Sequence, residues 1–285
     1  MTFLLKEIVM SRYIKLSMLL LLVAGCQKEP PTMVNEVVND VKEGKSSIVA
    51  DNNDAAAVTQ GLSDDQLTAI VKKAMTEQYG DSFNEKYQCW DYIATNLEDK
   101  QYCMKPGKAT TVDANIGKTI YFHAASRADI TDDLAYSYGS VDSGLLGAFK
   151  LSMDASGAWK SSASNKAMEF GSVGNCGCDQ AKLLKLGDGD FYGWIFSSGG
   201  TWQGITVLNH AIVAPQGDVF ANISSIPEIR EEDQETIYQI KVVGTDTNKK
   251  IYPLLVSKQR KGQAAQELLV PFDENKKIYS LPENF

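Results

Sequence analysis

Apolar residues recur at helical spacing over one long stretch of this chain. In "LSDDQLTAIVKKAMTEQYG", Leu67, Ile70, Val71 and Ala74 form a single stripe at intervals of three and four. Ser63 with Gln66 three residues on makes a capping box, and Leu62 with Leu67 supplies a hydrophobic staple around it. Asp64 and Asp65 lie at the positive end of the helix dipole. The pattern predicts a helix over 64–79, with Gly80 taking the left-handed terminating position. After Gly80 the period shortens. "KTIYFHAA" from Lys118, "GLLGAFKL" from Gly144, "FYGWIF" from Phe191, "GITVLNHAIVA" from Gly204, "DVFANI" from Asp218, "TIYQIKVV" from Thr236, "KIYPLLVS" from Lys250 and "ELLVPF" from Glu267 are rich in β-branched and aromatic residues. Turn clusters such as "DASG", "GDGD", "SSGG", "PQGD" and "DENKK" separate them. The expected fold class is mainly β, an antiparallel sandwich or barrel-like sheet preceded by one capped amphipathic helix. "TIYQIKVVGTDTNKKIYPLLV" is the clearest hairpin.

Ahead of the helix the pattern is different in kind. Leu16 to Gly25 is an apolar run about half the ~20 residues of a membrane-crossing helix, and it follows Arg12 and Lys15. It ends in Val23, Ala24 and Gly25 directly before Cys26. A basic start, a leucine run, small residues and a terminal cysteine resemble the lipobox of bacterial lipoprotein precursors. The resemblance covers only the first 26 residues. It implies that 1–25 is a cleaved signal peptide and that the Cys26 thiol accepts a diacylglyceryl thioether. Gln27, standing where this class carries aspartate for inner-membrane retention, implies an outer-membrane address. Three acyl chains anchor far more firmly than the single chain that binds only marginally. The residues before Met10 add nothing to such a signal, so translation is expected to begin at Met10. From Cys26 to Gly61, "KEPPT", "KEGKSS" and "DNNDAAA" bury too little to offset chain entropy. Residues 26–61 therefore read as a flexible tether, with a short helix over Met33 to Lys42 as its one exception, and 62–285 as a single β-rich domain.

Charge narrows the partners. The chain carries 28 basic and 36 acidic residues. Removing 1–25 takes away Lys6, Arg12, Lys15 and Glu7, which leaves 25 against 35. An acidic body without a basic cluster argues against nucleic acid and against lying flat on an anionic bilayer. The expected contacts are the membrane, through the N-terminal acyl chains, and an envelope protein.

Four cysteines remain besides Cys26. An even number in an exported chain points to disulfides, and four allow three pairings. Cys89 and Cys103 flank a strand, turn and strand in "YQCWDYIATNLEDKQYCMKPG", so Cys89–Cys103 is the preferred bond. For "GNCGCDQ", three roles compete for Cys176 and Cys178: a structural bond, a redox centre with C-x-C in place of the usual C-x-x-C, or a metal site that lacks further ligands nearby. The structural role is favoured, and neither a metal nor a cofactor is expected. Cys178 with His210 gives the residue types of a cysteine hydrolase, but order alone does not define such a site. His123 and His210 both sit in apolar strand-like runs, where a sheet-face or core histidine is the commoner outcome. The acidic "GDGD" at Gly187 to Asp190 and "ADITDD" at Ala128 to Asp133 lack EF-hand spacing and read as turns. In "DFYGWIFSSGGTWQG", Tyr192, Trp194, Phe196 and Trp202 form either a partner surface or the buried face of a hairpin. Two functions follow: a non-enzymatic anchored binding or envelope-assembly module, which is favoured, and a thiol-active envelope enzyme centred on Cys176, Cys178 and His210.

Overall fold

The computed structural model describes residues 62–114, 117–244 and 249–285. The expected signal peptide, Cys26 and the tether lie outside them. Helix α1 (Asp64–Tyr79) starts as its sequence predicts: the Ser63 hydroxyl accepts from the Gln66 N–H, and the Gln66 side chain accepts from the Ser63 N–H at 2.9 Å. It buries Val71, Ala74, Met75 and Tyr79, with Leu67 and Ile70 packed at the margin. Gly80 ends it with φ 83° and ψ −173°, a positive φ outside the left-handed helical basin, so the chain leaves extended.

All strand pairing within the sheets is antiparallel. The first sheet holds β1 (Phe83–Asn84), β2 (Cys89–Ala94), β3 (Lys100–Pro106), β4 (Thr110–Asp113), β5 (Lys118–Ser126), β6 (Gly144–Met153) and β7 (Trp159–Phe170). Its order is β1-β2-β3-β5-β6-β7, with β4 also on β5. The second holds β8 (Lys182–Lys185), β9 (Tyr192–Trp202), β10 (Ile205–Gln216), β11 (Val219–Asn222) and β12 (Ile226–Ile229), in the order β11-β10-β9-β8 with β12 also on β10. The third is β13 (Thr236–Val242), β14 (Leu254–Arg260) and β15 (Gln266–Val270).

Strand alternation sorts these sheets into layers. On β5, Ile120 and Phe122 join Phe149, Met75 and Tyr79 beneath the helix, while Tyr121 points the other way. There it meets Trp194, Phe196, Ala211 and Val213 of the second sheet. Ile212 and Ala214 take the opposite face and pack on Tyr238, Leu254, Val256 and Val270 of the third. The order is helix, first sheet, second sheet, third sheet. This is a sandwich with an added layer, and the sheets stay open; the barrel alternative is not what forms.

Two boundaries differ from expectation for identifiable reasons. "WKSSASNKAMEF" has few strand-favouring residues, yet it forms β7 because β6 offers it a long ladder, interrupted by two register shifts. The run from Lys250 becomes strand only at Leu254. Pro253 has no N–H to give, and before it the Tyr252 N–H bonds to the Leu186 carbonyl while Ile251 bridges Gly187.

Candidate functional site

The cysteines pair as Cys89–Cys103 and Cys176–Cys178. The first bond crosses the β2–β3 hairpin under Tyr87, Ile130 and Tyr136. The second closes within one turn beside the second sheet. Gly177 sits between its cysteines at φ 71°, and a Cβ there would lie 2.4 Å from the Ser197 carbonyl oxygen, so only glycine fits. The Asn175 side chain accepts from the Gly177 N–H at 2.8 Å, and the Ser126 hydroxyl donates to the Gly174 carbonyl at 2.8 Å. Both cysteines of this pair are buried. A hydrolytic role for Cys178 with His210 needs a free thiol, and this one is bonded. His210 is also occupied: Nε2 meets the Tyr238 carbonyl at 2.8 Å, and Nδ1 lies 4.0 Å from Glu228, which accepts from the Ser197 hydroxyl.

The aromatic cluster divides. Trp194 and Phe196 are buried against the first sheet, with Tyr192 at their margin, and Trp194 lies near Tyr121, His123 and Phe220. These three are core, not partner surface, because the first sheet covers the face of β9 that they share. Trp202 alone of the four is exposed, at 39 %.

The acidic turns are likewise committed. Asp190 pairs with Lys150 at 2.8 Å and accepts from Thr119. Burial pushes its carboxyl upward, but Lys150 and Thr119 outweigh that and hold it below the usual carboxylate range. Asp129 pairs with Arg127 and Asp132 with Lys86.

His123 lines a pocket of about 720 Å³ with Lys105, Lys108, Arg127, Asp129 and Asp179. Its Nδ1 is buried without a protein partner. Burial lowers its pKa from the ordinary 6.5, and Asp179 opposes that only in part. The unfolded chain therefore takes the proton first as pH falls. Stability owed to neutral His123 is complete above pH 6.5 and is lost below it, until the lower folded pKa is passed. The lowered aspartates, with an ordinary value of 3.8, act only in more acid solution. Denaturant midpoints measured from pH 7.5 to 5 are expected to fall in the native protein and to flatten in His123→Gln.

A groove of about 1180 Å³ lies between β8 and β13. Its apolar wall is Leu184 and Ile195 on one side and Ile240, Val242 and Tyr252 on the other. Among the described residues, Lys182, Lys185 and Lys241 are the Lys, Arg, Asp or Glu side chains that line it, and all three are exposed. His210 and Ser197 lie at the same groove, and Gly177 of the cysteine turn reaches its rim. The strand reading missed β8, whose "KLLK" is too short and polar-flanked to show a period. The signal was available in part: lysines beside paired leucines after a cysteine turn.

No protein-family model, curated protein or solved structure matches this chain.

Proposed function

We propose that this protein is an outer-membrane lipoprotein, acylated at Cys26, whose β domain holds an envelope partner in the groove between β8 and β13. The single observation that carries the binding role is that groove: a large, mostly apolar concavity lined by three lysines and, among the described residues, by no carboxylate, on a chain of net charge −8. The lipobox resemblance supplies the anchor, and three acyl chains make attachment stable. A partner held by apolar contact and oriented by lysines fits a binding module.

Two measurements in cells test this. Cys26→Ser is expected to lose metabolic palmitate labelling and move from membrane to soluble fraction; a labelled, membrane-bound variant would remove the anchor. A photo-crosslinking residue in place of Leu184, 40 % exposed in the groove, is expected to give a discrete adduct. The same residue in place of Ile93, 55 % exposed outside the groove, is expected to give none. Absence of an adduct at 184, or the same adduct from both positions, would overturn the binding role.

A further inference from the structure

We infer that the groove binds its partner by strand addition: an extended polypeptide segment, apolar and acidic at alternate residues, pairs with the open edge of β13. The inference rests on the binding role proposed above.

The direction of β13's backbone groups follows from its ladder. Its register on β14 runs without a shift from Thr236 opposite Arg260 to Val242 opposite Leu254. One pair further on, the Val243 N–H donates to the Pro253 carbonyl at 3.0 Å. Antiparallel ladders alternate between residues that bond inward and residues that turn away. Lys241, Gln239 and Ile237 therefore bond to β14, and Tyr238, Ile240 and Val242 turn their N–H and C=O groups to the other side. His210 marks that side independently, since its Nε2 comes from β10 to meet the Tyr238 carbonyl at 2.8 Å. Beyond that contact, the outward groups of Ile240 and Val242 open on the groove. Among the described residues, β13 pairs with β14 alone. The place a fourth strand of the third sheet would take is the groove itself, floored by Ile195 and Leu184 of the second sheet.

Exposed edges of this kind template strand addition, with main-chain bonds giving affinity and alternate side chains giving specificity. Here the two side-chain directions differ in chemistry. A residue pointing inward meets Ile195, Leu184, Ile240 and Val242 and must be apolar. A residue pointing outward stands beside Lys241, which faces away from the core, and across the groove from β8, which carries the exposed Lys182 and Lys185. Opposite charge across strands is favourable and like charge is not, so outward residues are acidic.

The test uses the full-length protein in detergent and ten-residue peptides alternating valine with glutamate or valine with lysine. The glutamate peptide is expected to bind, read by fluorescence anisotropy, and the lysine peptide to bind at least tenfold more weakly. N-methylation of one alternate set of amides is expected to abolish binding, while methylation of the other set leaves it. On binding, amide exchange should slow at Ile240 and Val242 and stay unchanged at Lys241. Val242→Pro removes an outward N–H without touching the β14 ladder and is expected to weaken binding at least tenfold. Binding that leaves exchange at Ile240 and Val242 unaltered, or indifference to both methylation sets, would overturn strand addition. So would failure of both peptides to bind. If the Leu184 adduct persists in cells under any of those results, the groove binds by another mode and only this inference falls; if the adduct is missing too, the binding role falls with it.

Discussion

Trp194→Ala is expected to cost about 3–5 kcal/mol of stability, the range for emptying a buried tryptophan site. The indole is 2 % exposed, with Phe220 at 5.5 Å, His123 at 5.7 Å and Tyr121 at 6.0 Å between ring centroids. Those rings come from both sheets of the sandwich and cannot close over the space without moving a strand. Such a loss is a large part of the ~5–15 kcal/mol that holds a domain folded. Trp202→Ala is the internal comparison: its ring is on the surface, and surface changes usually stay near ~0.5 kcal/mol. Chemical denaturation of the two variants decides the matter. A Trp194→Ala protein with an unchanged midpoint would return that side chain to the surface.

The second large effect is expected at Cys89–Cys103. The bond joins residues 14 apart in sequence, and the chain-entropy treatment gives about 3 kcal/mol for a loop of that size. Replacing both cysteines by alanine should lower stability by about that much, because the bond restrains the denatured chain around the β2–β3 hairpin. The bond at Cys176–Cys178 spans only 2 residues, and the same treatment gives about 1.6 kcal/mol. Denaturant midpoints of the two double variants should therefore differ, with the 89/103 variant the less stable. Equal losses would mean that the cysteine turn does more than restrain the unfolded chain, through its contacts with Ser197 and Ser126.

What was legible in the sequence was what local chemistry dictates. The capping box and apolar stripe of α1 depend on residues three and four apart, and both appear as predicted. Strands made of β-branched and aromatic residues, such as β5, β6 and β10, show their period because both faces are buried or one is plainly polar. β7 did not show it, since its identity as a strand comes from β6 across a hairpin and not from its serines and lysines. The core role of Trp194 and Phe196 was one of two readings that alternation allowed; only the layer beyond each face selects between them. The groove was invisible for a related reason. Its lysines come from residues 182, 185 and 241, distant in sequence and brought together by the stacking of two sheets. No spacing rule connects a short edge strand to the outer strand of a different hairpin.

The three sheets have a consequence for how the chain acquires its shape. Each is drawn from one contiguous stretch: residues 83–170, then 182–229, then 236–270. Ladder partners are thus near neighbours along the polypeptide, which keeps the entropic cost of loop closure low and favours fast folding. A chain that emerges N-terminus first can form each sheet before the next has followed. The late events are then the docking of finished faces and the few long-range ties, such as Ser224 with Tyr279 and Gly187 with Ile251. An interrupted chain ending near residue 175 would carry a complete first sheet whose Tyr121 face still lacked its cover. Such fragments should bind chaperones through that face, while those ending after residue 229 should bind them through the Ile212 and Ala214 face instead.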